Sequence, residues 1–244
     1  MMKKKCKIYE LLKMNSNQDK PYEQDEMCPK DKLEKILKGA KEILCHKHTS
    51  NALHPIFSYI KIFTDKITFS HVVELLSCEK NYTGQDSFNI YDVMISKSKM
   101  EEICLKESIT YIEQSEEITI SLSSNPIVVK PWKDDRLIMN ITKDGWKDKS
   151  WKQDENHALT FCNPIGVCFI TNGLHSVFTG KLLGEGSLTI TPAETYNLIP
   201  FYRKIYFDGV DYRYLANEKI VAKASSFEFG CIFEIGRLIY KSKN

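Results

Sequence analysis

Along the first third of the chain, apolar residues return at three- and four-residue steps. From Asp31 onward, Leu33, Ile36, Leu37, Ala40, Ile43 and Leu44 mark one face of an amphipathic helix. Pro55 suits the first turn of a second helix carrying Ile56, Phe57, Ile60 and Phe63. Ser70 is expected to cap a third, with Val72, Val73, Leu75 and Leu76 on its buried side. Ser98 and Glu101 have capping-box spacing and predict a short fourth.

In the second half the pattern shifts toward alternation and short apolar runs. Strands are expected at Ile118–Leu122, Ile127–Val129, Leu137–Ile141 and Val167–Thr171, with Lys133-Asp134-Asp135 as a turn before the third. A helix follows Ser176 and is ended by Gly184 and Gly186, then a strand at Ser187–Ile190. Lys204–Phe207 and Asp211–Leu215 flank Asp208-Gly209 as a hairpin. Ser225 with Glu228 opens a last helix through about Tyr240, burying Phe229, Ile232, Phe233 and Ile235. The fold class expected is α+β, a helical N-terminal half followed by a mixed-sheet C-terminal half. The boundary is placed around Asn81–Ser87, giving regions 1–85 and 86–244.

Composition narrows this picture without naming a function. In 244 residues, 42% hydrophobic and 27% charged positions are globular proportions and exclude a disordered polymer. A net charge of +2 argues against a histone-like or tail-type nucleic-acid binder. The 30 Lys are ordinary surface charge, whereas the only Arg are Arg136, Arg203, Arg213 and Arg237, the residues suited to forked phosphate contacts. Eight scattered Cys, no secretory apolar segment and no apolar run near 18 residues lead us to expect a reducing cytoplasm and no membrane.

The most informative segment is Ile165–Gly186, whose grammar is strand, polar turn at Asn172-Gly173, then His175-Ser176 opening a helix. The free N–H groups and positive dipole end of such a helix attract an anion. This unit resembles the ParB/sulfiredoxin superfamily, whose members carry a G-x-H-R-like element between a strand and a helix. Asn125-Pro126-Ile127-Val128-Val129 is similar to the superfamily's upstream strand, and Lys181-Leu182-Leu183-Gly184 to its helix end. The resemblance spans roughly Ile118 to Ile190 and implies a nucleotide-phosphate or nucleic-acid site at the turn. Leu174 stands where a polar residue is common, Ser176 replaces the Arg that grips phosphate, and the sulfiredoxin Cys is absent. Trp151, Asn156-His157, Pro164 and the Asn172–Ser176 turn together also resemble an uncharacterised bacterial family associated with mobile-element or phage-defence loci.

Other residues add to this site or are set aside. Trp132, Trp146 and Trp151 lie among lysines, as in a single-stranded nucleic-acid groove, although packing onto their own domain is the simpler account. His157 could meet His175 across the strand, with Glu194 or Asp208 near, for acid–base work or a divalent metal, although a structural histidine hydrogen-bonded to backbone is the simpler account of His157 and an equal one of His175. Cys45-His46-Lys47-His48 with His54 lacks a C-x-x-C pair and is read as a helix end, not a metal site. Gly184-Glu185-Gly186 is too short for a nucleotide fingerprint and no G-x-S-x-G elbow occurs, so no cofactor is named. The leading expectation is phosphate binding, with phosphodiester cleavage as an extension, through catalytic His175 and His157 and ligand-binding Asn172, Gly173, Ser176, Arg203 and Arg213. The partner is then a nucleotide or nucleic acid. The alternative is a non-catalytic protein-interaction subunit with a degenerate site.

Overall fold

The computed structural model describes residues 27–47, 53–77, 103, 117–142 and 151–243. Helix α1 (Pro29–Cys45) starts on Pro29, which needs no N–H partner in a first turn, with Asp31 on the positive dipole end. Helix α2 runs unbroken over Pro55–Ser77. Its buried positions Ile56, Ile60, Thr64, Ile67, Thr68, Val72 and Leu75 keep one helical phase across Ser70. The expected cap at Ser70 is therefore corrected: this serine sits exposed in mid-helix, where it ends nothing. The helix expected after Ser98 and the boundary around Asn81–Ser87 lie outside the described residues.

The remaining elements make an α+β arrangement, with helices first and mixed sheets after. Strand β1 (Ile118–Ser121) pairs antiparallel with β5 (Ser187–Ile190). A four-stranded sheet has the order β2 (Ile127–Val128), β4 (Val167–Ile170), β3 (Leu159–Asn163), β6 (Thr195–Asn197). In it β2 and β4 are parallel, β4 and β3 antiparallel, and β3 and β6 parallel. Strands β7 (Ile205–Phe207), β8 (Asp211–Tyr214) and β9 (Ile220–Lys223) form an antiparallel sheet. At the β7–β8 turn, Asp208 Oδ1 accepts the Val210 and Asp211 N–H groups, both at 2.8 Å.

Four further helices follow α1 and α2, namely α3 (Asp134–Thr142), α4 (Leu174–Leu183), α5 (Ile199–Tyr202) and α6 (Phe227–Ser242), besides a 3₁₀ turn at Pro192–Glu194. The strand expected at Leu137–Ile141 is corrected to α3. Asp134 and Asp135 suit a helix N-terminus, and only Leu137 is buried, so a period-two reading buries too little. Strands β3, β6 and β9 escape the sequence pattern because runs of three to five residues carry little periodicity of their own. The last helix is capped by Ser226, one residue later than expected, its hydroxyl accepting the Phe229 N–H, while Glu228 pairs with Lys66 of α2.

All four residues of β4 are buried, and alternation splits them between two cores. Val167 and Phe169 join α1, α2, α5, α6 and the β7–β8 sheet in one cluster. Cys168 and Ile170 join α4, β1, β5, Leu137 and Trp151 in the other. Burying each such side chain contributes about 1.5–3 kcal/mol. The outer edge of β2 is sealed by α2: buried Thr68 takes the Val129 N–H on its hydroxyl (3.2 Å) and reaches the Ile127 carbonyl (3.5 Å). Helices α2 and α4 are tied by Lys181, whose buried ammonium reaches Asp65 at 2.6 Å. Burial pulls that ammonium below its usual pKa, and Asp65 opposes the pull. Of the described thiols, Cys162, Cys168 and Cys231 are buried and Cys28 and Cys45 exposed. Among the described residues, no helix is long and apolar enough to cross a membrane.

Two stability predictions follow from these ties. Asp65→Ala leaves the Lys181 charge buried without its partner and should cost about 3 kcal/mol or more in urea unfolding, whereas Lys181→Met should be near neutral. Thr68→Val keeps shape but strands the β2 edge groups, and should cost about 1–3 kcal/mol in the same assay.

Candidate functional site

Strand β4 delivers the chain to Thr171 and Asn172, whose N–H groups both donate to the Ala158 carbonyl, at 2.8 and 3.1 Å. This tight turn ends at Gly173, with φ +73° in the left-handed region, and α4 begins at Leu174. The His157 ring lies against Gly173 where any Cβ would sit, so only glycine fits both the conformation and the space. The helix thus starts at Leu174, three residues before a helix that follows Ser176, and His175 and Ser176 become its first-turn residues. Gly173 offers no side-chain cap, which leaves the first N–H groups without one. At the other end Gly184, with φ +74°, stops the helix, and the Glu185 N–H returns to the Gly180 carbonyl at 2.8 Å.

Beneath the turn, His157 is buried against Trp151, ring centroids 4.9 Å apart. Its Nδ1 receives the Asp154 backbone N–H at 2.8 Å, and its Nε2 lies 3.1 Å from Ser176 Oγ. The Trp151 indole N–H donates to both the Ser176 hydroxyl and carbonyl, at 3.0 and 3.1 Å. Trp151 is 4% exposed and belongs to the second core, so it offers no face to a base. Packing onto its own domain, the simpler account of the tryptophans, holds for Trp151; Trp132 stands at the cleft, and Trp146 lies outside the described residues.

His175 turns the other way. Its Nε2 sits between the Lys133 backbone N–H and C=O, at 3.2 and 3.1 Å, clamping the first turn of α4 to the start of α3. Its ring meets Trp132 edge-on at 5.5 Å. The two histidines share no partner, so the paired acid–base arrangement raised from the sequence is corrected: one holds Ser176 and the other holds the Lys133 backbone, the structural role. Burial pulls the His175 pKa below the usual histidine value, Arg136 and Lys133 adding to the pull while the Lys133 carbonyl and Asp135 oppose it.

A cleft of about 540 Å³ opens over this corner. The turn contributes Asn172, Gly173, Leu174, His175 and Ser176 to its wall, and α3 with its lead-in contributes Trp132, Arg136, Met139 and Asn140. The Arg136 guanidinium lies over the Trp132 ring, 5.1 Å from its centroid. Arg136 was missed as a site residue because α3 was read as a turn and a strand. Read as a helix, Arg136, Met139 and Asn140 fall on one face at three- and four-residue spacing, the signal that was present.

The two arginines expected to complete the pocket are corrected. Arg203 donates to the Tyr240 hydroxyl at 2.9 Å and lies over that ring, and Arg213 pairs with Asp208 and donates to the Glu218 carbonyl. Neither lines the cleft. Arg237 is bound to the buried Glu234 carboxylate. Glu194 holds the Thr191 N–H and hydroxyl, both at 2.8 Å, so neither expected acid is brought to the histidines. His48 of the Cys45–His48 cluster lies outside the described residues, and among those described no three His, Cys, Asp or Glu side chains group as metal ligands.

The buried neutral His175 predicts an acid-sensitive fold. An unfolded imidazole titrates near about 6.5, and the folded value is lower, so stability is full above that range and is lost as pH falls through it. Thermal midpoints should drop from pH 7 to 5, and His175→Gln should flatten part of the drop; His71, also pulled down by burial, retains a share. An unchanged drop in the variant would exclude His175 as the group.

A family model described as a family of unknown function (DUF6710) matches residues 12–244. No curated protein and no solved structure matches the chain. Helical first half, mixed sheets and the α3–α4 cleft all lie within the matched span, and the chain belongs to the DUF6710 family.

Proposed function

We propose that the cleft between α3 and the first turn of α4 binds a phosphate-bearing ligand, a nucleotide or a nucleic-acid phosphate. The observation that carries this reading is Arg136, which lines the same cleft as the uncapped helix N-terminus. A guanidinium fork and several backbone N–H groups are the donors an oxyanion needs, and each first-turn contact adds only about 0.3–1 kcal/mol alone. Arg136 stands in for the arginine missing after His175, supplied from a neighbouring helix instead of the motif. The resemblance of the strand–turn–helix unit to the ParB/sulfiredoxin superfamily supports the same ligand class. A volume of about 540 Å³ suits a mononucleotide or a short strand end. Phosphodiester cleavage is not part of the proposal, because Nε2 of His157 is engaged by Ser176 and Nε2 of His175 by Lys133.

A protein-interaction role is the second reading. It draws on Ile62, Val73 and Leu76, which α2 leaves more than half exposed.

Calorimetric titration with inorganic phosphate, AMP, ATP, adenosine and a single-stranded oligonucleotide at fixed low salt separates the two. Phosphorylated probes should bind and adenosine should not. Arg136→Ala should weaken binding roughly tenfold or more, while Arg203→Ala leaves it unchanged. No binding by wild type, or equal binding by Arg136→Ala, would sink the phosphate reading and favour the interaction subunit.

A further inference from the structure

Ser176 poses a hydrogen-bond accounting question. A hydroxyl has two lone pairs and one proton. The Trp151 indole, which can only donate, fills one lone pair from 3.0 Å. The second contact is with His157 Nε2 at 3.1 Å, and its direction depends on the imidazole tautomer. The Asp154 backbone N–H points at His157 Nδ1 from 2.8 Å, so Nδ1 must be the accepting nitrogen. A neutral imidazole that accepts at Nδ1 carries its proton on Nε2, and Nε2–H then donates to Ser176. Both lone pairs are thereby taken. The remaining Ser176 proton has no protein acceptor among the described contacts, and the residue lines the cleft beside Arg136.

The competing arrangement is a serine–histidine–aspartate relay, since Asp154 Oδ1 lies 2.9 Å from His157 Nδ1. In that arrangement Nδ1 would carry the proton, and Nε2 would accept from Ser176 and activate it as a nucleophile. One contact opposes it: an Nδ1–H would collide with the Asp154 backbone N–H, which points at the same nitrogen from 2.8 Å.

We infer that Ser176 is a ligand-binding donor whose hydroxyl proton is reserved for an acceptor-only oxyanion, a phosphoryl oxygen, with Trp151 and His157 as its positioning residues. This rests on the phosphate reading of the cleft and assigns the serine its role within it. The residue that replaces the motif arginine thus still contributes one donor, without charge.

Three measurements test it. In protein carrying ¹⁵N-labelled histidine, His157 should show the Nε2–H tautomer at neutral pH, and a fluorophosphonate probe should leave Ser176 unlabelled. The Nδ1–H tautomer, or labelling of Ser176, overturns the inference in favour of the relay. In titrations with AMP and a 5′-phosphorylated oligonucleotide, Ser176→Ala should bind roughly tenfold or more weakly than wild type. If Ser176→Ala binds as wild type while Arg136→Ala is weakened, this inference alone falls. If wild type binds neither probe, the phosphate reading falls and takes this inference with it.

Discussion

Strand β4 is buried on both faces, and most of the architecture answers to that constraint. A strand with Val167 and Phe169 on one side and Cys168 and Ile170 on the other cannot face water at all. It needs a helical layer on each side and a partner along each edge. Helices α2 and α6 cover one face, α4 covers the other, and β2 and β3 fill the edges. The helices of the first half therefore share a core with the last helix of the chain. They are held to it by apolar contact, by the Lys66–Glu228 pair and by the Thr68 hydroxyl on the free edge of β2.

The site inherits its geometry from this arrangement. Because β4 is the buried strand, the chain leaves it at a fixed place and angle, and the Gly173 turn sends α4 back over the second core. The first turn of α4 is then pinned twice, by His157 and Trp151 from below and by the Lys133 backbone from the side. Each histidine is a structural clamp, His157 under the Gly173 turn and His175 in the wall of the cleft. The α3 helix is brought to the cleft by His175 and by burial of Leu137, and Arg136 comes with it.

Much of the fold could be read from periodicity, and the failures share a cause. Helices α1, α4 and α6 and the β7–β8 hairpin follow from local pattern and turn residues, within one to three residues at their ends. Ser70 misled because a polar residue on the outer face of a long helix looks like a cap until the phase on both sides is compared. Leu137–Ile141 misled because a short apolar run with one buried position fits either period. Strands β3 and β6 are held by pairing with distant chain, a property that no window of three to five residues contains.

For the site, local chemistry pointed to the Asn172–Ser176 turn, because a glycine-broken strand–helix junction leaves N–H groups exposed wherever it occurs. Which arginine joins it was decided by tertiary contact. Arg203 and Arg213 are drawn off by Tyr240, Asp208 and the Glu218 carbonyl, while Arg136 arrives on a helix whose position depends on a histidine forty residues downstream in the chain. Sequence order determines hydrogen bonds only between near neighbours. The proton inventory of Ser176, the separation of the two histidines and the charge lining the cleft are set by atoms that only the folded core brings within 3 Å or so of each other.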